Sequence, residues 1–188
     1  MRRVKRGRET GIDARFSSLF LSHYDDVLGY CVRRTNRADA DDVAADVFAT
    51  AWRRIDDLDW DTARPWLFGI ARGTLANHHR SKVRHTRLGM KIGSLADQSM
   101  DGPEVVVIRR EQDQEVMSVL DSLREPDREI LMLSVWENLT AAEIAVTLGI
   151  SAAAAEQRLH RAKGRFAKEL DRSTTQDSPR ADGKGGER

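Results

Sequence analysis

A chain of 188 residues with 40% apolar and 32% charged side chains can bury a core and stay in water, and its formal net charge of +1 neither demands nor forbids a nucleic-acid partner. A single cysteine, Cys31, excludes a disulfide framework and a cysteine zinc site. No apolar run approaches the roughly 20 residues a bilayer span needs. The basic start has no hydrophobic segment behind it, so neither a secretory leader nor membrane insertion is expected, and the reading is a reducing, cytoplasmic protein.

Charge is sorted along the chain rather than spread. Met1 to Arg8 is basic, Asp39 to Asp61 is mostly acidic, and Arg80 to Lys91 and Arg158 to Lys168 are basic again. Residues 1–12 read as a disordered basic arm. Phe16, Leu19, Phe20, Val27, Leu28 and Cys31 recur at helical spacing and predict a first long helix, with Cys31 in the core. Thr35-Asn36-Arg37 breaks it. A second helix starts after Asp39 or Asp41, either a plausible N-cap, and buries Val43, Val47, Phe48, Ala51 and Ile55. Its exposed side carries Asp42 and Asp46, four residues apart. That side is either a solvated acidic face or a docking face for a basic protein.

A third helix is predicted from about Thr62 to Ser81, with Pro65 in its first turn and a stripe of Trp66, Leu67, Ile70, Ala71 and Leu75. Trp66 and Phe68 could stack with unpaired bases, although Trp66 also suits the core. Residues 84–104 hold Gly89, Gly93, Gly102 and Pro103 and read as a linker. Helices resume near Glu104 and continue to about Leu170. The stretch from Ser173 to Arg188 has no bulky apolar residue and is expected to be disordered.

Near the C-terminal end, Thr140 and Glu143 form a capping box, with Leu139 and Ile144 placed as a hydrophobic staple across it. Gly149 fits the left-handed residue after a helix, and Ser151 the next N-cap. A helix of about two turns, a short turn and a longer helix make a helix-turn-helix, or else an ordinary helical hairpin. The longer helix buries a stripe of Ala155, Leu159, Ala162 and Phe166. Ala153, Gln157, His160, Arg161 and Gly164 lie opposite, with Arg158 and Arg165 on one flank and Glu156 and Lys163 on the other. Polar side chains between cations suit a DNA groove bounded by phosphates. The alanines at its start are small enough to let the helix enter deeply and touch thymine methyls.

These residues together resemble the RNA polymerase sigma factors of the extracytoplasmic-function class. The resemblance covers about Phe16 to Leu170. "DADDVAADVFATAW" is similar to the family's acidic helix that docks on the polymerase. "RPWLFGIARGTLANHHR" is similar to its promoter-melting, minus-10-reading helix. "LREPDREILMLSVWENLTAAEIAVTLGIS" with "RLHRAKGRF" is similar to its minus-35-binding domain. The resemblance implies an all-α fold: two small helical domains joined by a flexible linker, the second holding the helix-turn-helix. The implied boundaries are 13–83 for polymerase binding and minus-10 recognition, 84–104 for the linker, 105–172 for minus-35 recognition and 173–188 for the tail.

By position, the resemblance assigns Asp39, Asp42 and Asp46 to core polymerase, and Arg64, Arg72, Gly73, Asn77, Arg80 and Lys82 to the minus-10 element. It assigns Ser151, Ala153, Glu156, Gln157, Arg158, His160, Arg161, Lys163 and Arg165 to the minus-35 element. The implied partners are core RNA polymerase, through its β′ clamp and β subunit, promoter DNA, and an anti-sigma factor. Two departures stand out. Gly73 replaces an Asn that the family uses to hold a flipped base. Ala153, Ala154, Ala155 and Glu156 replace the family's Gly-Thr-Val-Lys, which implies weaker phosphate contact.

No catalytic constellation, cofactor motif or metal site is legible: His78, His79 and His85 lack ligand spacing with a carboxylate. The rival readings are a stand-alone helix-turn-helix regulator acting as a dimer, and a helical adaptor without a nucleic-acid role.

Overall fold

The structure, a computed structural model, describes residues 2–91 and 111–176, and among these every regular element is helical. Helix α1 (Arg2–Val32) and helix α2 (Arg37–Arg53) lie against each other, and α3 (Ala63–Lys91) crosses both. Two 3-10 turns, Ile55–Asp57 and Trp60–Thr62, connect α2 to α3. The second half holds α4 (Glu111–Ser122), α5 (Glu125–Val135), α6 (Ala141–Leu148) and α7 (Ala152–Gln176).

The first half is built on aromatic rings. Phe16, Phe20 and Tyr24 follow each other along one face of α1 and meet Phe48 of α2, with Phe20 and Phe48 centroids 4.8 Å apart. Trp52 closes the row edge-on to Phe16 at 4.9 Å. Ala40, Val43, Ala44, Val47 and Ala51 are buried beneath, at the three- and four-residue spacing of one helix face. Cys31 is buried, and burial pushes its thiol up to about 12.

Four boundaries differ from the sequence reading. Helix α2 is capped by Asn36, not by Asp39 or Asp41. The Asn36 backbone is extended, its Oδ1 accepts from the Asp39 N–H at 2.9 Å, and its Nδ2 donates to Asp39 Oδ2 at 2.8 Å. Asp39 is therefore the third helical residue, where a carboxylate favours the positive end of the helix. Helix α3 runs ten residues past Ser81, because residues 82–91 contain no proline and a formed helix extends at little cost. Helix α1 is described from Arg2, so the boundary expected after residue 12 falls inside it. Likewise α7 ends at Gln176, four residues past the expected domain end. Residues 92–104 of the expected linker and residues 177–188 of the expected tail lie outside the described residues.

The helix-turn-helix is folded as its capping signals dictate. Thr140 Oγ1 accepts from the Glu143 N–H at 3.3 Å, and Glu143 Oε2 accepts from the Thr140 N–H at 2.8 Å. Leu139 and Ile144 are both buried. Gly149 takes φ 65°, a left-handed value that favours glycine, and lets the Ile150 N–H reach back to the Ala145 carbonyl at 3.0 Å. Ser151 Oγ then accepts from the Ala154 N–H at 3.2 Å and starts α7.

Candidate nucleic-acid and polymerase interface

Three exposed faces carry the residues singled out by sequence. The first is on α2. Asp42 and Asp46 are exposed one turn apart, with Asp41 beside them and the apolar side of the helix turned inward. No cation is paired with Asp42 or Asp46 among the described ion pairs, so the face offers uncompensated negative charge. Asp39 is different. It is mostly covered, and it forms an ion pair with Lys82 of α3 while His78 Nε2 lies 3.5 Å from its other oxygen. Burial alone would raise the Asp39 carboxyl. The hydrogen bond and charge of Lys82, with His78 and Thr35, outweigh that and hold it below its ordinary value. Asp39 and Lys82, expected to serve two different partners, are joined to each other here.

The second face is on α3. Arg72, Gly73, Asn77 and Arg80 are exposed within two turns, and His79, Arg84 and His85 extend the basic surface. Arg80 Nη2 donates to Asn77 Oδ1 at 2.6 Å, which aligns the two side chains. A side chain at Gly73 would meet nothing within 4 Å, so glycine there is not required by packing. Arg64 does not join this group. Its Nε donates to Asp26 Oδ2 at 2.8 Å, its Nη1 donates to the Glu137 carbonyl at 2.8 Å, and its guanidinium lies over Phe68. Phe68 itself is fully buried and stacked on Tyr30 at 5.0 Å, so it has no face free for an unpaired base. That expectation is corrected: the Phe68 side of the helix faces α1. Trp66 is partly buried against the core.

The third face is on α7. Ala155 and Ala162 are fully buried, and Leu159 and Phe166 pack against the core, which is the predicted stripe. Turned outward are Ala153, Glu156, Gln157, Arg158, His160, Arg161, Lys163 and Gly164. Glu156, Gln157, His160 and Arg161 line a shallow depression, and the small residues before them leave the start of the helix slender. Two assigned residues have intramolecular duties. Ser151 is the N-cap. Arg165 Nη1 lies 2.7 Å from both carboxylate oxygens of Asp127, which is 8% exposed. Asp127 escaped the sequence reading, because a pair 38 residues apart leaves no local signature.

No group of three or more His, Cys, Asp or Glu suited to a metal occurs among the described residues. No helix of the described residues is long and apolar enough to cross a membrane.

Residues 19–85 match Sigma-70 region 2, and residues 113–166 match Sigma-70 region 4. The chain is 36% identical over 140 residues to RNA polymerase sigma factor NccH of Alcaligenes xylosoxydans xylosoxydans, covering 72% of this chain and 75% of that one. It is 31% identical over 170 residues to the ECF RNA polymerase sigma factor SigL of Mycobacterium tuberculosis, covering 81% and 89%. The solved structure of CnrH in complex with the cytosolic domain of CnrY is similar with a TM-score of 0.54 and 26% identity, over 84% of this chain and 88% of that one. The chain belongs to the RNA polymerase sigma factors of the extracytoplasmic-function class. It is an alternative sigma factor, which directs RNA polymerase in transcription initiation.

Proposed function

We propose that each of the three faces has one partner. The acidic α2 face, through Asp42 and Asp46, docks on the β′ clamp of core polymerase, with further contact to the β subunit. The α3 face, through Arg72, Asn77 and Arg80, holds the minus-10 element, and Gly73 contributes backbone only. Arg64 and Lys82 reach DNA after leaving Asp26 and Asp39. The α7 face reads the minus-35 element with Gln157, His160 and Arg161 at base edges, Arg158 and Lys163 at phosphates, and Ala153 granting close approach. Arg165 serves chiefly to fix α7 on α5. The corresponding domains are 13–83 and 105–172, joined through 84–104.

The observation that supports this reading is the sorting of charge by helix. Each helix buries an apolar side and exposes a chemically different one: carboxylates on α2, cations and an amide on α3, and mixed polar readers flanked by cations on α7. A protein docking surface and two DNA surfaces need that separation, because the acidic face would repel the duplex. The protein catalyses nothing itself, and it acts in the cytoplasm, where the polymerase supplies the chemistry. An anti-sigma factor that covers these faces would silence it.

The test is reversal of Asp42 and Asp46 to Lys. The variant is expected to fold normally and to lose co-purification with core polymerase. Retained co-purification would remove the docking assignment.

A further inference from the structure

The first acidic residue of α2 is turned toward α3. Asp39 carries four partners on its two carboxylate oxygens. Oδ2 accepts from Asn36 Nδ2 at 2.8 Å and from Thr35 Oγ1 at 3.3 Å, and it pairs with Lys82. Oδ1 lies 3.5 Å from His78 Nε2. That nitrogen is cut off from solvent and makes no hydrogen bond among the described residues. A bare lone pair there would be repelled by the carboxylate, so the ring carries its proton on Nε2. The tie is charge attraction at the outer limit of a hydrogen bond.

Helix α3 outruns its core at this point. Ala71 is buried and Leu75 packs on the core, and His78 and Lys82 continue the same side at three- and four-residue spacing. Among residues 76–85 only His78 and Ser81 are even partly covered. His78 and Lys82 carry this stretch back to α2 through Asp39. Gly73, Asn77, Arg80 and Arg84 repeat the spacing of Ala71, Leu75, His78 and Lys82 two residues later. That shift places them about 200° around the helix axis, on the opposite side. Whatever fixes the Ala71–Lys82 side therefore sets the direction in which the Gly73–Arg84 side points.

We infer that Asp39 and His78 are positioning residues for minus-10 recognition: they hold the second half of α3 on α2 and so aim Asn77 and Arg80, and Asp39 takes no part in docking on polymerase. The aim toward DNA rests on the proposed minus-10 reading of α3; the tie itself does not. Lys82 is exposed and can exchange the carboxylate for a phosphate. Asp39 then keeps His78, Asn36 and Thr35, so the tie outlasts the exchange. Docking by Asp39 would demand the reverse, because a carboxylate with both oxygens engaged would have to abandon its partners and strand the covered His78 nitrogen. Asp42 and Asp46 are exposed and face no such cost.

The experiment compares the full chain with Asp39→Ala, His78→Ala and His78→Gln, whose amide can place an N–H near the position of Nε2. Amide hydrogen exchange over residues 76–85 of the free chain is expected to be roughly fivefold faster in Asp39→Ala and in His78→Ala, and restored in His78→Gln. Exchange in the core of α2, residues 43–51, is expected to stay unchanged and serves as the folding control. With core polymerase, the ratio of open-complex formation on preferred over single-base-changed minus-10 elements should fall roughly fivefold in the same two variants and recover in His78→Gln. The double variant Asp39→Ala/His78→Ala should fall no further, since both residues act through one tie. All forms should co-purify with polymerase. Unchanged exchange in Asp39→Ala and His78→Ala would overturn the tie, and so would failure of His78→Gln to restore it. Loss of polymerase binding in Asp39→Ala, with the base ratio kept in His78→Ala, would overturn the positioning role and return Asp39 to docking. An unsubstituted chain without any minus-10 preference would instead overturn the reading of α3, and the exchange rates would still decide the tie.

Discussion

The first and second halves of the chain reach order by different means. In α1–α3 large rings fill the core: Phe16, Phe20, Tyr24, Phe48 and Trp52 form a continuous row, and Tyr30 stacks on Phe68. In α4–α7 the core is aliphatic, with Leu120, Ile130, Leu133 and Ile144 buried beside the small Ala155 and Ala162 of α7, and the helices are further fixed by caps and by the Arg165–Asp127 ion pair. Ring packing depends on volume. Capping and ion pairing depend on hydrogen-bond geometry and charge. Both halves should therefore be sensitive to truncation of the core, the first through its rings, and the second also to loss of single polar groups and to pH.

The sharpest way to break this comparison is Phe48→Ala. It removes the ring at the centre of the row and should cost about 3–5 kcal/mol, read as a fall in the urea midpoint. A loss under ~1 kcal/mol would show that the aromatic row does not hold the first half. Asp127→Ala should cost about 2–3 kcal/mol, below the ~3–5 kcal/mol of a fully buried pair because Arg165 is 46% exposed and can rehydrate. It should also weaken minus-35 binding by loosening α7, and Arg165→Ala should do the same.

On the α7 face the expected effects are on DNA binding rather than on stability. Arg161→Ala should lose about 1–3 kcal/mol on the preferred promoter and relax one base pair, while Arg158→Ala should weaken all sequences and flatten the salt dependence. Salt-dependent affinity of the holoenzyme for a promoter series separates the two. Base preference unchanged by Arg161→Ala and Gln157→Ala, but altered at Ala153, would place reading in the first turn.

The smallest effect is expected at the capping box. Thr140→Ala should cost ~1 kcal/mol. The backbone and hydroxyl hydrogen bonds of Thr140 hold the Glu143 carboxyl below its ordinary value. A carboxyl lowered on folding gives stability that is complete above its unfolded pKa and lost as pH falls through the folded one. Acid titration of stability should therefore be shallower in Thr140→Ala than in the unsubstituted chain.

What could be read from sequence follows the same division. Local chemistry was legible: the Thr140–Glu143 box, Gly149, Ser151 and the Ala155–Phe166 stripe each involve residues within about three turns, and each is found as read. Helix ends were less legible. Asn36 out-competes Asp39 and Asp41 as a cap because an extended backbone puts its oxygen on the Asp39 amide, which a string of candidate caps does not reveal. Long-range polar pairing was not legible at all. Glu137 meets Arg33 across 104 positions, and no periodicity marks either residue. The same blindness explains Arg64 and Arg165. The resemblance assigns both to DNA, and both are engaged here with carboxylates of distant helices.

If the separated faces make this chain a promoter-specificity subunit, Asp42 and Asp46 carry its link to the enzyme. Run-off transcription from a promoter library, with core polymerase and either the unsubstituted chain or the Asp42→Lys/Asp46→Lys variant, tests it most directly. Discrete transcripts are expected from promoters sharing two elements with the unsubstituted chain, none without it, and none with the variant. Equal transcription with the variant, or a sharp palindromic footprint from the chain alone without polymerase, would contradict it.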